Sequence, residues 1–473
     1  DGDGYSEIPK LHGQTIGFRS FLKTTTYSKL TFEYHHMEEF RRGGDLLNRP
    51  PHEANVAEQT EHSINGGGLK FDYFSPNENH RFNVFASAQH INRDSYYGPG
   101  DRDPLDAYGN TTDLNWMAGS QYVYSFGKCI FMPSDLTAGI EFNQDKLEDN
   151  MWGYNRTVDQ KVNIGSAFLQ NEWKNDHWGF LIGGRLDKHN LIDHVIFSPR
   201  ANLRYNPTEN INLRFSYSSG FRAPQAFDED LHVENVGGNV AMVELADNLK
   251  EERSQSLSAS ADIYHRFGAF QVNFLVEGFY TKLSDVFALT DGEVVDGILT
   301  RTRHNASGAQ VLGLTLEGKM AYLNKIQVQA GVTLQQSHYS KPHIWNKEAP
   351  AVKKMMRTPN TYGYFTATYT PIKPLSIALS GTYTGSMLVP HEPVPGFLEN
   401  PITVNTKDFF DIGLKAAYDF KLYKSMNLQL NAGIQNIFNA YQDDFDKGAD
   451  RDSGYIYGPS LPRSFFAGVK ISY

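Results

Sequence analysis

Residues 326–335 read Ile-Gln-Val-Gln-Ala-Gly-Val-Thr-Leu-Gln, an alternation of apolar side chains with amides, glycine and threonine. Residues 426–435, Met-Asn-Leu-Gln-Leu-Asn-Ala-Gly-Ile-Gln, repeat this pattern, and residues 270–277 follow it less strictly. Successive side chains of a β-strand point to opposite faces of the sheet, so each stretch has one apolar face and one face rich in amides. Strands of about ten residues with this pattern are typical of barrels that have lipid outside and water inside.

The composition of the 473 residues also favours membrane-crossing strands over helices. Apolar residues make up 40%, and no segment approaches the ~20 consecutive apolar residues of a membrane-spanning helix. Aromatic residues reach 13%, which suits the rings that barrels place at both lipid–water interfaces. The net charge of −10, without a long basic run, excludes nucleic acid as a partner. Cys129 is the only cysteine, so the chain can form neither an internal disulfide nor a cysteine-based metal cluster.

Two kinds of connection alternate along the chain. Short turns are predicted near residues 26–28, 75–79, 127–134, 174–177, 206–210, 266–269, 324–325, 371–374 and 422–425. Polar and mostly long connections are predicted near residues 41–59, 94–112, 145–159, 187–194, 220–252, 284–307, 340–358, 389–407 and 440–462. Outer-membrane barrels have short periplasmic turns and long extracellular loops in this order. The fold class predicted is therefore all-β, a transmembrane antiparallel β-barrel with about nineteen strands.

The strand count leads to an expectation about the whole protein. Single-chain bacterial barrels have an even number of strands, with both ends of the barrel chain at the periplasm. Three further strands before Asp1 would give 22 strands, the size of plugged transporters. We therefore expect residues 1–473 to be a β-barrel that lacks its first strands and an N-terminal plug domain.

Three motifs resemble one family. The C-terminal strand carries alternating apolar residues and ends on an aromatic, which is similar to the signal read by the barrel-assembly machinery; its residues here are Phe465, Val469, Ile471 and Tyr473. Residues 433–439, Gly-Ile-Gln-Asn-Ile-Phe-Asn, and residues 220–224, Gly-Phe-Arg-Ala-Pro, resemble motifs of TonB-dependent receptors. The resemblance implies active import of a large, scarce nutrient across the outer membrane. It also implies contact with outer-membrane lipid and with the TonB–ExbB–ExbD complex, the latter through the plug.

Within that family, residues 1–5 and 41–53 resemble vitamin B12 (cobalamin) receptors, particularly those of Bacteroidetes. The resemblance implies cobalamin or another corrinoid as substrate and a surface lipoprotein as a partner that captures it. No cofactor is required, but calcium is a candidate ligand of the extracellular loops through Asp1, Asp3, Asp45 and Glu53. Closely spaced carboxylates suit calcium, although Asp-Gly is also an ordinary turn signal of solvated residues.

Haem and ferric siderophores are the alternative substrates. Haem receptors carry a histidine after the Phe-Arg-Ala-Pro box, and His232 lies there; imidazole is a good ligand of haem iron. The loop residues predicted to contact a substrate are Tyr96, Tyr97, Trp152, Arg222 and His232. Each aromatic ring among them equally suits the outer aromatic girdle, and a lone histidine in a polar loop is more often simply solvated.

Other classes of protein fit the sequence less well than a transporter does. A passive porin has fewer strands and no plug. An outer-membrane enzyme would be a smaller barrel with a nucleophile motif such as Gly-x-Ser-x-Gly, which the sequence lacks, so no enzymatic activity is predicted. A secreted β-sandwich or propeller would need evenly spaced repeats, and none is visible.

Overall fold

The structure is a computed structural model that describes residues 2–99, 108–236, 239–423, 425–459 and 461–472. Its strands, in chain order, are β1 (Ser6–Thr25), β2 (Ser28–Gly44), β3 (Val56–Phe74), β4 (His80–Pro99), β5 (Tyr108–Cys129), β6 (Met132–Met151), β7 (Arg156–Lys174), β8 (Trp178–His189), β9 (Ile196–Thr208), β10 (Ile211–Arg222), β11 (Glu234–Val236), β12 (Asn239–Leu245), β13 (Glu252–Phe267), β14 (Phe270–Ser284), β15 (Phe287–Val295), β16 (Ile298–Asn305), β17 (Ala309–Tyr322), β18 (Ile326–His343), β19 (Val352–Lys354), β20 (Thr361–Ile372), β21 (Leu375–Thr384), β22 (Leu388–His391), β23 (Ile402–Asn405), β24 (Phe409–Tyr423), β25 (Met426–Gln435) and β26 (Ser464–Ser472).

Helices are few in this part of the chain. The α-helix α1 (Asp228–Leu231) has four residues, and Pro51–Glu53 and Trp152–Tyr154 form single turns of 3₁₀-helix. Among the described residues, no helix has both the length and the apolar character needed to cross a bilayer.

One antiparallel sheet of twenty strands dominates the fold. Nineteen of them are long and pair with their neighbours in chain order from β1 to β26, and the three-residue β19 is added beside β18. The sheet curls so that the connection between β25 and β26 meets the start of β1: Arg451 Nη2 donates to Ser6 O at 3.0 Å, and Gly448 N donates to Asp3 Oδ2 at 2.9 Å. The predicted all-β antiparallel barrel, with nineteen strands in this chain, is confirmed.

The outer face carries the apolar band, as β6 shows. Leu136, Ile140 and Phe142 point outward, and Ile140 is 63% exposed in the isolated chain. Farther along the same face the outward residues become polar, beginning with Gln144 and Lys146. A tilted strand needs only about ten residues to cross a bilayer, so the second half of this twenty-residue strand stands in water.

Two of the predicted connections are shorter in the structure. Residues 145–159 were expected to be a loop, but β6 and β7 stay paired up to Met151 and Arg156. Residues 94–112 were expected to be another; β4 instead reaches Pro99 and β5 begins at Tyr108, and residues 100–107 lie outside the described residues. In a hairpin that extends beyond the lipid, the backbone N–H and C=O groups still pair across the two strands. Polar side chains on both faces of such a hairpin therefore indicate that it is surrounded by water, not that the strands have ended.

Two long connections build a second, smaller sheet at the loop end, the end of the barrel that carries the long connections. Residues 223–251 supply β11 and β12, and residues 285–308 supply β15 and β16. The order is β11-β12-β16-β15, in which β12 runs parallel to β16. This small sheet fixes the side chains of one wall of the candidate site.

Candidate ligand-binding site

A cavity of about 800 Å³, here called the mouth cavity, opens at the loop end. Its wall consists of lumen-facing residues of β1 to β6, of residues between 225 and 232, and of residues 445–456 before β26. The lining includes eight carboxylates, three arginines and two histidines: Glu7, Glu39, Glu58, Asp113, Asp145, Asp228, Asp446, Asp452, Arg41, Arg93, Arg451, His62 and His232.

Each of the three arginines lies beside a carboxylate of the same wall. The closest ion pairs are Arg41–Glu39 at 2.7 Å, Arg93–Asp228 at 2.7 Å and Arg451–Glu7 at 4.0 Å. Five carboxylates of the lining remain beyond these three pairs. Asp446 among them lies 2.9 Å from His391 Nε2, and burial and the neighbouring Asp145 raise the pKa of Asp113 to about 7, so the excess of negative charge in the mouth cavity is modest. Such a field attracts cations and repels anions that approach the cavity.

The segment between β10 and α1 is held against the barrel wall by side chains of distant strands. Arg93 of β4 donates through Nε to Thr111 Oγ1 at 3.1 Å and through Nη1 to Asp228 Oδ1 at 2.7 Å. Gln160 of β7 accepts from Ala226 N at 2.7 Å and donates to Ala226 O at 3.2 Å. These bonds place α1 across the loop end and make it a partition between two cavities.

His232 follows α1 and lies in the walls of both cavities. Its ring meets Tyr97 edge-on, with centroids 5.2 Å apart, and its Nε2 is 4.0 Å from Glu58 Oε2. A histidine in this place can donate or accept a hydrogen bond from a bound ligand.

The second cavity, of about 350 Å³, lies between α1 and the small sheet. Its lining includes Arg222, Arg301, Arg303, Glu229 and Phe287. Glu229 Oε1 accepts from Arg222 Nη2 at 2.6 Å and from Arg303 Nη1 at 3.0 Å. Burial acts to raise the pKa of Glu229, but the two guanidinium groups outweigh it and the pKa is lowered. In contrast to the mouth cavity, arginines dominate this wall.

A buried polar cluster, here called the loop clasp, ties three further connections together. Arg301 Nε donates to Asp291 Oδ1 at 3.0 Å, and Arg301 Nη2 lies 3.4 Å from Glu392 Oε1. Asn346 Nδ2 donates to Glu392 Oε2 at 3.0 Å, and Glu392 N donates to Asp452 Oδ2 at 3.0 Å. Burial and the nearby Asp291 raise the pKa of Glu392 to about 7, although Arg301 opposes the change.

The loop clasp continues through His391. The ring of His391 stacks on Tyr455 with centroids 3.8 Å apart, and His391 Nε2 lies 2.9 Å from Asp446 Oδ2. Both members of the His391–Asp446 pair are buried. Tyr455 and Asp446 also line the mouth cavity, so the clasp fixes part of that wall.

Comparison with known proteins identifies the molecule. Residues 10–437 match the family model described as TonB dependent receptor-like, beta-barrel. The chain belongs to this family. It is therefore an outer-membrane receptor that acts with the TonB system, and we expect the loop end to be its extracellular side. The predicted family and location are confirmed, and the finer resemblance to cobalamin receptors stays a prediction. A search of curated proteins gave no match.

Solved structures share the fold of the receptor at low sequence identity. The siderophore receptor PirA from Acinetobacter baumannii superposes with a TM-score of 0.72 at 14% identity, covering 98% of this chain and 71% of that one. The ferric enterobactin receptor PfeA from Pseudomonas aeruginosa, a double mutant, gives 0.73 at 14%, covering 99% and 71%. The ferric-catecholate import receptor Fiu from K12 E. coli gives 0.70 at 13%, covering 99% and 75%.

The structure brings some of the predicted substrate residues together and separates others. Tyr97, Arg222 and His232 line one or both cavities, as described above. Tyr96 lies on the opposite face of β4, where it is buried edge-on against Tyr108. Trp152 is 64% exposed at the tip of the β6–β7 hairpin and lines neither cavity.

The carboxylates predicted to bind calcium are engaged elsewhere in this structure. Asp45 is buried and accepts from Val56 N at 3.0 Å and from Asn55 Nδ2 at 2.6 Å. Asp3 accepts from Tyr5 N and from Gly448 N, each at 2.9 Å. Glu53 lies 4.0 Å from Arg49, and Asp1 lies outside the described residues. No group of three or more His, Cys, Asp or Glu side chains in the described part of the chain is arranged to hold a metal ion. The calcium site at these residues stays a prediction.

The residues predicted as the assembly signal lie on β26. Phe465, Val469 and Ile471 all face outward and are 65% exposed or more in the isolated chain. They pair with the outward residues of β25, as Val469 does with Leu430. Tyr473 lies outside the described residues. Their role in assembly stays a prediction.

Sequence reasoning missed Arg93, Arg303 and Glu229 as site residues. A signal for one of them was present, since Arg301 and Arg303 are two apart in β16 and therefore share a face of that strand. Arg93 and Glu229 gave no comparable signal, because their partners lie far away in the sequence.

Proposed function

We propose that this receptor imports a corrinoid, cobalamin or a close relative, across the outer membrane. The proposal rests on the resemblance of residues 1–5 and 41–53 to cobalamin receptors and on the charge of the mouth cavity. A corrinoid is a bulky ring surrounded by neutral amide groups, too large and too dilute for diffusion through porins. Energy coupling through TonB suits such a cargo.

The acidic lining of the mouth cavity supports a substrate without a large negative charge. Ferric complexes of three catecholates carry several negative charges. The wall of the mouth cavity has more carboxylates than arginines, and each arginine already lies beside a carboxylate, so the wall would repel such a complex. Neutral amides, in contrast, bind to hydroxyl, amide and imidazole groups, which Thr60, Gln225 and His62 supply in this wall. The cavity volume lies within the range of about 300–1,000 Å³ usual for ligand sites.

A ferric siderophore is the second candidate, and the named structural relatives favour it. Those proteins are receptors for a siderophore, for ferric enterobactin and for ferric catecholates. At identities of 13–14%, the likeness to these receptors concerns the fold and not the substrate. Because the mouth cavity is acidic, a siderophore substrate would have to be less anionic than a ferric tris-catecholate. Haem is the third candidate, favoured by the place of His232 in the mouth cavity.

Binding to the full-length receptor in detergent separates the three candidates. We expect calorimetry to show saturable binding of cyanocobalamin and none of ferric enterobactin or haemin. The variant His232→Ala should still bind cyanocobalamin, because other polar groups of the wall remain. Saturable haemin binding that His232→Ala abolishes, without any response to cyanocobalamin, would assign the receptor to haem. Saturable binding of ferric enterobactin alone would assign it to siderophores.

A further inference from the structure

The second cavity differs from the mouth cavity in the charge of its wall. Three arginines line it, and the single carboxylate among its described lining residues is Glu229. Phe287 lies beside two of these arginines, with Arg222 Cζ 5.4 Å and Arg303 Cζ 6.0 Å from its ring centroid. Apolar side chains of β12 and β15 complete the wall. Guanidinium groups beside an aromatic ring suit an anionic group attached to a flat or apolar body.

One oxygen atom joins the two arginines nearest to α1. Glu229 Oε1 lies 2.6 Å from Arg222 Nη2 and 3.0 Å from Arg303 Nη1. Two guanidinium groups around one oxygen repel each other unless a negative charge lies between them. Glu229 therefore occupies the position that the anionic oxygen of a ligand would take.

The burial of the three groups shows which of them can leave. The side chain of Glu229 is 57% exposed, so water can solvate its carboxylate when it swings away. The side chain of Arg303 is only 8% exposed, and its buried Nε has no hydrogen-bond partner among the described residues. A buried guanidinium needs a partner for its charge and its donors, whereas exposed ion pairs contribute little. Arg303 also forms an ion pair with the buried Asp230, so it keeps one partner for its charge while Glu229 is exchanged for another anion.

We propose that the second cavity is an anion subsite, in which a phosphate or carboxylate group of the substrate displaces Glu229 from Arg222 and Arg303. The two oxygen anions share this chemistry, and the assignment to phosphate rests on the proposed function, because cobalamin carries one phosphodiester in its nucleotide loop. His232 lies in both cavity walls. A substrate can thus place its neutral ring in the mouth cavity and its anionic group beyond α1.

Small probes test the subsite without any corrinoid. Phenyl phosphate, benzoate and neutral benzyl alcohol are titrated into the full-length receptor by calorimetry. We expect the two anions to bind and the alcohol not to bind. Arg222→Gln should weaken anion binding by about tenfold or more, because a charge-assisted hydrogen bond is lost. Glu229→Gln should tighten it severalfold, because no internal carboxylate competes.

The pair Arg253 and Glu251 supplies matched controls. It is an ion pair of 2.8 Å at the start of β13 that lines neither cavity. Arg253→Gln and Glu251→Gln should leave anion binding unchanged, and Arg222→Lys should recover only part of it, since lysine lacks the planar fork. Heat-modifiable gel migration reports whether each variant is a folded barrel. Equal anion affinity in wild type and folded Arg222→Gln, or weaker binding in Glu229→Gln, would overturn the subsite.

A second comparison separates the subsite from the proposed function. Cobinamide lacks the nucleotide loop and its phosphodiester, so wild type should bind cyanocobalamin about tenfold more tightly than cobinamide, and Arg222→Gln should lose this preference. If neither corrinoid binds but phenyl phosphate behaves as expected, the subsite stands and the corrinoid assignment fails. If both corrinoids bind with a preference that Arg222→Gln does not change, the subsite fails and the assignment stands.

Discussion

Glu392 should make the loop clasp sensitive to pH. Its side chain is 12% exposed, and its carboxylate lies between Arg301 and Asn346, close to Asp291. The pKa of Glu392 is raised from 4.5 to about 7, because burial and Asp291 disfavour the charged form. A raised pKa means that the folded clasp binds this proton more tightly than the open clasp does.

The sign and size of the effect follow from proton linkage. The stability contributed by neutral Glu392 is fully present below pH 4.5, declines between pH 4.5 and about 7, and is absent above that. The whole change corresponds to roughly 3 kcal/mol. Glu392→Gln keeps a neutral side chain of the same shape at every pH. The variant should therefore match wild type at pH 5 and hold the clasp more firmly than wild type at pH 8.

Hydrogen exchange of the clasp amides measures this difference directly. Wild type and Glu392→Gln are compared at the same pH, so the intrinsic pH dependence of amide exchange cancels. We expect equal protection at pH 5 and slower exchange of residues 388–394 and 446–456 in the variant at pH 8. Glu399→Gln, an exposed position in the same connection, is the control and should show no such gain. Equal or faster exchange in Glu392→Gln at pH 8 would refute the reasoning.

Two other predictions concern the lipid face and calcium. Leu430 is 43% exposed on the outward face of β25, so Leu430→Arg should lower the free energy of unfolding in lipid vesicles by roughly 2–4 kcal/mol. Gln429→Arg, on the lumen face of the same strand, should lower it much less. Equal losses in the two variants would contradict the assignment of the faces. The calcium site also stays a prediction. Calcium titrated into the full-length receptor should give a saturable heat of binding that Asp45→Asn removes, and the ion would have to displace Val56 N from the Asp45 carboxylate. Absence of binding heat in wild type would exclude the site.

The barrel was predictable because its information is local. Alternation over residues 326–335 sets the two faces of β18, and the turn at residues 323–325 sets where the next hairpin begins. Both features lie within a few residues of the structure that they determine. The polar ends of the hairpins are predicted as loops but are paired strands in the structure. The polarity of side chains indicates the solvent around a strand and not the pairing of its backbone.

The site was less predictable because its contacts join distant parts of the chain. Arg93 and Asp228 are 135 residues apart, and Asn346 and Glu392 are 46 residues apart. No periodicity relates such positions, and only the curl of the sheet and the folding of its long connections bring them together. Tyr96 and Tyr97 show the limit within one strand: the sequence named both as contacts, but neighbours in a strand face opposite sides, so only Tyr97 reaches the mouth cavity.

The acidic turn of α1 explains how two cavities of opposite charge can lie side by side. Asp228 pairs with Arg93 of the barrel wall, whereas Glu229 and Asp230 pair with Arg303 of the small sheet. The turn is therefore held from both sides by charges that its own carboxylates neutralise. Asp230 is buried, so its ion pair with Arg303 has to persist, while the exposed Glu229 can be exchanged. A ligand anion that replaces Glu229 would leave the ion pairs of Asp228 with Arg93 and of Asp230 with Arg303 in place, so α1 would keep its position while the second cavity fills.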